Sequence, residues 1–99
     1  MLIKGVTSEE EYIINSILSA YKEKYDFYYY GSRVKGNFRP LSDLDIMIKG
    51  GKEAESSDIN DLKDKFDKSN LSYIVNISDY HNLDENFYKQ IENDLVKVF

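Results

Sequence analysis

Two β-prone runs flank one short polar stretch in this chain, and that stretch leaves little freedom over what the runs can build. Phe27-Tyr28-Tyr29-Tyr30 is aromatic and favours extended backbone. Further on, Leu44, Ile46 and Ile48 alternate with Asp43, Asp45 and Met47, which is the period of a strand with two unlike faces. Between the runs lies GSRVKGNFRPLS, residues 31 to 42. Gly31 follows the first run directly. Glycine reaches backbone angles that other residues avoid and lets a ligand come close to the main chain. Ser32 then supplies a hydroxyl and an amide at the expected start of a short helix or turn, closed by Gly36-Asn37.

This arrangement suggests chemistry. The first N–H groups of a helix lack intrahelical partners and suit anions such as phosphate. Arg33, Lys35 and Arg39 add positive charge close by, either as phosphate contacts or as ordinary solvated loop residues. Asp43 and Asp45, at i and i+2 on one strand, project from one face and are close enough to share one metal ion or bridge two. Aspartate is disfavoured in strands, so a pair of them argues for a metal site. Hard oxygen ligands suit Mg2+, which commonly takes further oxygens from substrate phosphates and relieves the repulsion between the carboxylates. Ser42 caps a turn or orients Asp43. The candidate nucleotide-binding set is therefore Gly31, Ser32, Arg33, Lys35, Arg39 and Ser42, and the candidate metal set is Asp43 and Asp45. Tyr28, Tyr29 and Tyr30 read as sheet packing, and His81, the sole histidine, as a surface residue.

The stretch from Gly31 to Asp45 resembles the signature of the DNA polymerase β-like nucleotidyltransferase superfamily, Gly-Ser followed by Asp-x-Asp. Gly31, Ser32, Arg33, Gly36, Arg39, Pro40, Ser42, Asp43 and Asp45 all fall where the minimal nucleotidyltransferase (MNT) proteins of that superfamily have matching residues. The likeness covers the whole length. It implies an α/β (α+β) fold, a mixed β-sheet with helices packed mainly on one side. It also implies Mg2+-dependent transfer of AMP from ATP to a hydroxyl, with Asp43 and Asp45 as catalytic metal-holding residues. The stand-alone members it resembles are antitoxins that modify a tyrosine of a HEPN-type RNase toxin.

One position departs from that pattern. The superfamily's third carboxylate lies in a later strand, and the matching run here is Tyr73-Ile74-Val75-Asn76-Ile77, with Asn76 in its place. Asparagine is a neutral ligand and cannot serve as a carboxylate base. Asp79 is three residues on, and a regular strand points it to the opposite face. Asn76 is thus either a retained weak ligand or a structural residue. A second functional reading stays open beside the first, a catalytically degenerate module that neutralises or regulates its partner by binding.

The rest of the chain sets bounds. Ninety-nine residues make one domain, 1 to 99, with no room for a separate acceptor-binding domain, so a protein partner is expected to bring the acceptor. A net charge of −5 argues against nucleic-acid binding and suits a basic partner. Assembly with that partner or with a second copy is open. The absence of cysteine fits the reducing cytoplasm, the expected location. No signal peptide or membrane-spanning run is expected. A capping box at Thr7–Glu10 or Ser8–Glu11 opens a helix whose stripe is Ile13, Ile14, Ile17, Leu18 and Tyr21. Residues 50 to 57 read as a loop. Residues 58 to 66 read as a helix capped by Ser57 or Asp58, with Ile59, Leu62 and Phe66 facing inward. A strand is expected over 71 to 77, a helix over 83 to 93 and an edge strand over 95 to 99.

Overall fold

The computed structural model describes residues 2–99. Helix α1 (Ser8–Leu18) opens on the expected capping box. The Glu10 N–H donates to Thr7 Oγ1 at 3.1 Å and the Thr7 N–H donates to Glu10 Oε1 at 2.9 Å. These bonds satisfy two backbone donors that the helix start would otherwise orphan. Its Ile14 and Leu18 are fully buried. Strand β1 (Asp26–Tyr30) follows, then the one-turn helix α2 (Ser32–Lys35), strand β2 (Leu44–Lys49), helix α3 (Ser56–Asp67), strand β3 (Val75–Asp79), helix α4 (Glu85–Ile91) and the two-residue strand β4 (Val96–Lys97).

The four strands form one mixed sheet in the order β3-β2-β1-β4. β1 runs antiparallel to both β2 and β4, while β2 and β3 are parallel. The parallel pair needs a crossover, and α3 supplies it. The pleat then sorts the side chains. Phe27, Tyr29, Leu44, Ile46, Ile48, Val75 and Ile77 join Ile14 and Leu18 of α1 and Leu62 and Phe66 of α3 in the main core. On the other face Tyr30 and Met47 meet Ile91 of α4, flanked by Tyr28, Tyr80, Leu83, Tyr88 and Leu95. The two long helices therefore cover one side of the sheet, and the short α4 packs on the other together with the segments before and after it. This is the mixed sheet with helices mainly on one side that the sequence suggested.

Three boundaries differ from expectation. α3 starts at Ser56 with Glu55 at its N-cap, and neither Ser57 nor Asp58 caps it. The Asp58 carboxylate is instead engaged laterally, accepting from Tyr25 Oη at 2.6 Å and from Lys24 Nζ at 2.7 Å. β3 begins at Val75, four residues later than the apolar run, and continues to Asp79. Its ladder has nothing to pair with earlier, because β2 itself starts at Leu44, whose N–H donates to the Ile74 carbonyl at 2.9 Å. The last helix is α4 alone, capped by Asp84, and a separate 3-10 turn follows at Glu92–Asp94. The C-terminal edge strand is present as β4, continued by a bond from the Val98 N–H to the Phe27 carbonyl at 2.9 Å.

Candidate active site

The register of the sheet assembles the site. Tyr30 pairs with Asp45, and Asp45 pairs with Asn76, so the three side chains stand in one row on the α4 face. Asp43 lies one residue before β2, at the mouth of the preceding loop. The Asn76 amide closes the group: its Nδ2 donates to Asp43 Oδ2 at 3.0 Å and to Asp45 Oδ1 at 3.2 Å. Two carboxylates from the Asp-x-Asp run and the asparagine from the later strand thus converge on one point.

Gly31 fits against this group. Its φ of +86° lies in the region that favours glycine, and a Cβ there would run into Asp45 Oδ2. The glycine therefore serves two needs, the turn out of β1 and the close approach of main chain to carboxylate. Its carbonyl accepts from the Val34 and Lys35 N–H groups at 3.1 Å each, which winds α2. Gly36, at φ +90°, ends that turn. α2 is a single turn, so its macrodipole is small, and the anion-binding capacity rests on N–H groups that have no partner inside the helix.

Asp45 is partly buried behind Tyr30, whose hydroxyl donates to Ser78 Oγ at 3.2 Å. Burial pushes the Asp45 carboxyl up from the usual carboxylate range, the Asn76 hydrogen bond pulls it down, and the Asp43 charge pushes it up again. All of the oxygens suit a hard divalent cation: two carboxylates, and the Asn76 Oδ1 after an amide rotation. Among the described residues no cluster holds three or more His, Cys, Asp or Glu side chains. The donor set therefore fits an ion that takes its remaining ligands from substrate phosphate and water.

A raised carboxyl favours its protonated form in the folded state. For Asp45 the contribution to stability is fully present below the unfolded-state value and is lost as pH rises through the raised folded value. The metal-free protein at neutral pH is therefore expected to gain stability from Asp45→Asn, by about 3 °C in Tm, the shift that roughly half a kcal/mol gives in a domain of this size. Thermal scans with chelator at pH 4 and pH 7 check this. A gain that is as large at pH 4 as at pH 7 would remove the charge-burial account.

Other candidates fall differently. Arg33 departs from its expected place among the phosphate contacts. Only 3% exposed, it gives its guanidinium to the backbone carbonyls of Ser42, Gly5 and Pro40. Ser42 makes a reciprocal turn with Arg39: the Arg39 N–H donates to Ser42 Oγ at 2.8 Å and the Ser42 N–H to the Arg39 carbonyl at 3.0 Å. Ser42 thus shapes the loop that delivers Asp43. Lys35, the last residue of α2, is exposed, with its Nζ 3.6 Å from Asp94 Oδ2. The Arg39 side chain is exposed. Asp79 does not replace a third carboxylate. It is buried on the opposite face, accepting from the Ala54 N–H at 2.7 Å and the His81 N–H at 3.0 Å. His81 Nε2 meets the Gly50 carbonyl at 2.8 Å, far along the sheet from the row of Asp45. Sequence reasoning did not single out Tyr30 and Ser78 as the support behind Asp45. Strand alternation puts Tyr30 on the face opposite Tyr29, but only the register brings it beside Asp45.

A groove of about 430 Å³ lined by Tyr12, Ile13, Ile17 and Lys65 lies between α1 and α3, on the opposite face of the sheet, and shares no residue with the site.

Comparison with known proteins agrees with this fold. The family model described as "Polymerase beta, Nucleotidyltransferase" matches residues 13–99. The chain is 31% identical over 93 residues to "Probable protein adenylyltransferase MntA" of Haemophilus influenzae, covering 94% of this chain and 82% of that protein. Its fold superposes on a crystal structure of a toxin-antitoxin with AMP-PNP at a TM-score of 0.72 and 21% identity, covering 90% of this chain and 72% of the other. The match spans β1, α2, β2 and β3 and with them Gly31, Asp43, Asp45 and Asn76, and the chain belongs to the polymerase β nucleotidyltransferase family.

Proposed function

We propose that this protein transfers AMP from ATP to a hydroxyl of a partner protein, with Mg2+ as cofactor, and that the partner is a HEPN-type RNase toxin which the transfer silences. The observation that carries the reading is the convergence of Asp43 and Asp45 against Gly31. Likeness to a protein described as an adenylyltransferase, over 94% of this chain and 82% of that protein, supports AMP as the group transferred. The fold match to a toxin-antitoxin with AMP-PNP supports the partner class. The acidic surface, at a net charge of −5, suits a basic partner and disfavours nucleic acid as acceptor. No helix among the described residues is long and apolar enough to cross a membrane, and the proposed setting is the cytoplasm.

In this reading Asp43 and Asp45 hold Mg2+, which when bound would neutralise charge on the triphosphate and on the departing pyrophosphate. The Gly31-Ser32 segment faces the phosphates with main-chain N–H groups and the Ser32 hydroxyl. The acceptor oxygen attacks the α phosphorus, the bond from that phosphorus to the bridging oxygen breaks, and pyrophosphate leaves. Asn76 cannot take the acceptor proton, which passes to one of the two carboxylates or to solvent. The protein's share is orientation and electrostatics. Intact-mass spectrometry of the partner after incubation with Mg-ATP tests the proposal. Added AMP is the expected result, and an unmodified partner in a stable complex would overturn it.

A second reading has one observation in its favour: the neutral Asn76 amide already occupies the space between the carboxylates. In that case the protein acts by binding its partner. Partner neutralisation by Asp43→Ala and Asp45→Ala separates the two, and Asn76→Asp tests what limits a transferase. In a working transferase limited by weak metal holding, a third carboxylate is expected to raise transfer about tenfold, within the range that single changes around a metal site produce. No rise in single-turnover transfer would count against metal holding as the limit.

A further inference from the structure

We propose that Arg33 is a positioning residue that holds Asp43 in register with the Gly31-Ser32 turn. The inference rests on reading the carboxylate pair as a cation site. Arg33 lies on α2, next to Ser32 in sequence, yet its guanidinium is spent on the loop that leads into Asp43. Nε donates to the Ser42 carbonyl at 2.9 Å, and Nη2 donates to the Pro40 carbonyl at 2.9 Å and, more weakly, to that of Arg39 at 3.5 Å. Nη1 donates to the Gly5 carbonyl at 2.6 Å. The guanidinium carbon lies 3.7 Å from the Tyr73 ring centroid and 5.1 Å from that of Phe38.

A buried cation ordinarily sits beside a carboxylate. Here carbonyl dipoles and two aromatic faces take that place, leaving both nearby aspartates without a positive partner from this residue. Residues 39, 40 and 42 are thereby folded around one planar fork, and the chain leaves that fork at Asp43. Asp45 is held by the sheet, Asn76 by the neighbouring strand, and Ser32 by α2. Asp43 alone stands outside regular structure, so its placement depends on what anchors its loop. Gly5 completes the anchor: its N–H donates to the Arg33 carbonyl at 3.0 Å, and a side chain at that position would collide with the Arg33 stem.

Lysine keeps the charge but lacks the fork, so it cannot serve the Ser42, Pro40 and Gly5 carbonyls together. The test compares wild type with Arg33→Lys by hydrogen exchange and by Mn2+ titration followed by electron paramagnetic resonance, neither of which depends on transfer. Two results are expected in a variant whose β2 amides stay protected. Exchange at the Arg39 and Ser42 amides rises, and Mn2+ affinity falls by about tenfold or more, the usual consequence of losing a residue that orients a metal ligand. Unchanged Mn2+ affinity in a variant with a loosened loop would overturn the proposal. Should Arg33→Lys fail to fold, Phe38→Ala removes one ring face and leaves the fork. It is expected to weaken Mn2+ binding about threefold, on the same ground, and unchanged binding there would equally overturn the proposal. If wild type itself binds no Mn2+, the reading of the site as a cation site fails instead, and the two failures are thus distinct.

Discussion

Asp45→Ala is expected to reduce AMP transfer at least about a thousandfold, since it removes the carboxylate on which the row of Tyr30, Asp45 and Asn76 is built. Asp45 has no substitute nearby. Asp79 faces the other side of the sheet with its oxygens on the Ala54 and His81 amides, and Asn76 is neutral. The fold is expected to survive, because the partly buried Asp45 raises its own carboxyl at a cost to the folded state. Single-turnover transfer to the partner, read by intact mass, measures the effect. Partner neutralisation should be lost in parallel. If the variant still neutralises the partner fully, the binding reading stands and the transferase reading falls.

Gly31→Ala is expected to injure both stability and activity, for two independent reasons. A Cβ at φ +86° is strained wherever it points, at a cost of about 1–2 kcal/mol, or roughly 4–16 °C in Tm for a domain of this size. The same Cβ would push Asp45 Oδ2 out of place, and misplacement of that order costs about a hundredfold in rate. Gly51 is the control. A Cβ there meets nothing within 4 Å, and it is not among the glycines with positive φ. Gly51→Ala is expected to leave transfer unchanged and stability equal or slightly raised. Thermal melts and single-turnover rates of the two variants, side by side, check the pair. Equal behaviour of Gly31→Ala and Gly51→Ala would show that the close approach to Asp45 carries no weight.

Asp43, Asp45, Gly31 and the strands around them could be read in advance because their signals are local. Alternation over Asp43 to Ile48 needs only the pleat, and a glycine at the end of an aromatic run needs only backbone sterics. The capping box at Thr7 and Glu10 was legible for the same reason, as its partners are three residues apart. Asp58 misled because its partners, Lys24 and Tyr25, are more than thirty residues away and pull it to the helix flank. The apolar run from Leu71 looked like strand from its first residue, but a strand exists only where a neighbour offers a ladder, and β2 offers none before Leu44.

Arg33 marks the limit most clearly. Beside a Gly-Ser turn its charge reads as a phosphate contact, whereas its donors are claimed by carbonyls of Gly5, Pro40 and Ser42. Strand period and the glycine after the aromatic run marked the turn at Gly31 and the carboxylates Asp43 and Asp45, because each depends on residues close in sequence, and the likeness of that spacing to the nucleotidyltransferase signature implied the family and the mixed sheet. Which side chains meet those carboxylates was decided only by the tertiary structure. The sheet register set Tyr30 beside Asp45, the Asn76 amide took a hydrogen bond to each carboxylate, and the packing of Tyr73 and Phe38 drew Arg33 inside. Long-range pairing and burial are properties of the assembled chain, and no local pattern encodes them.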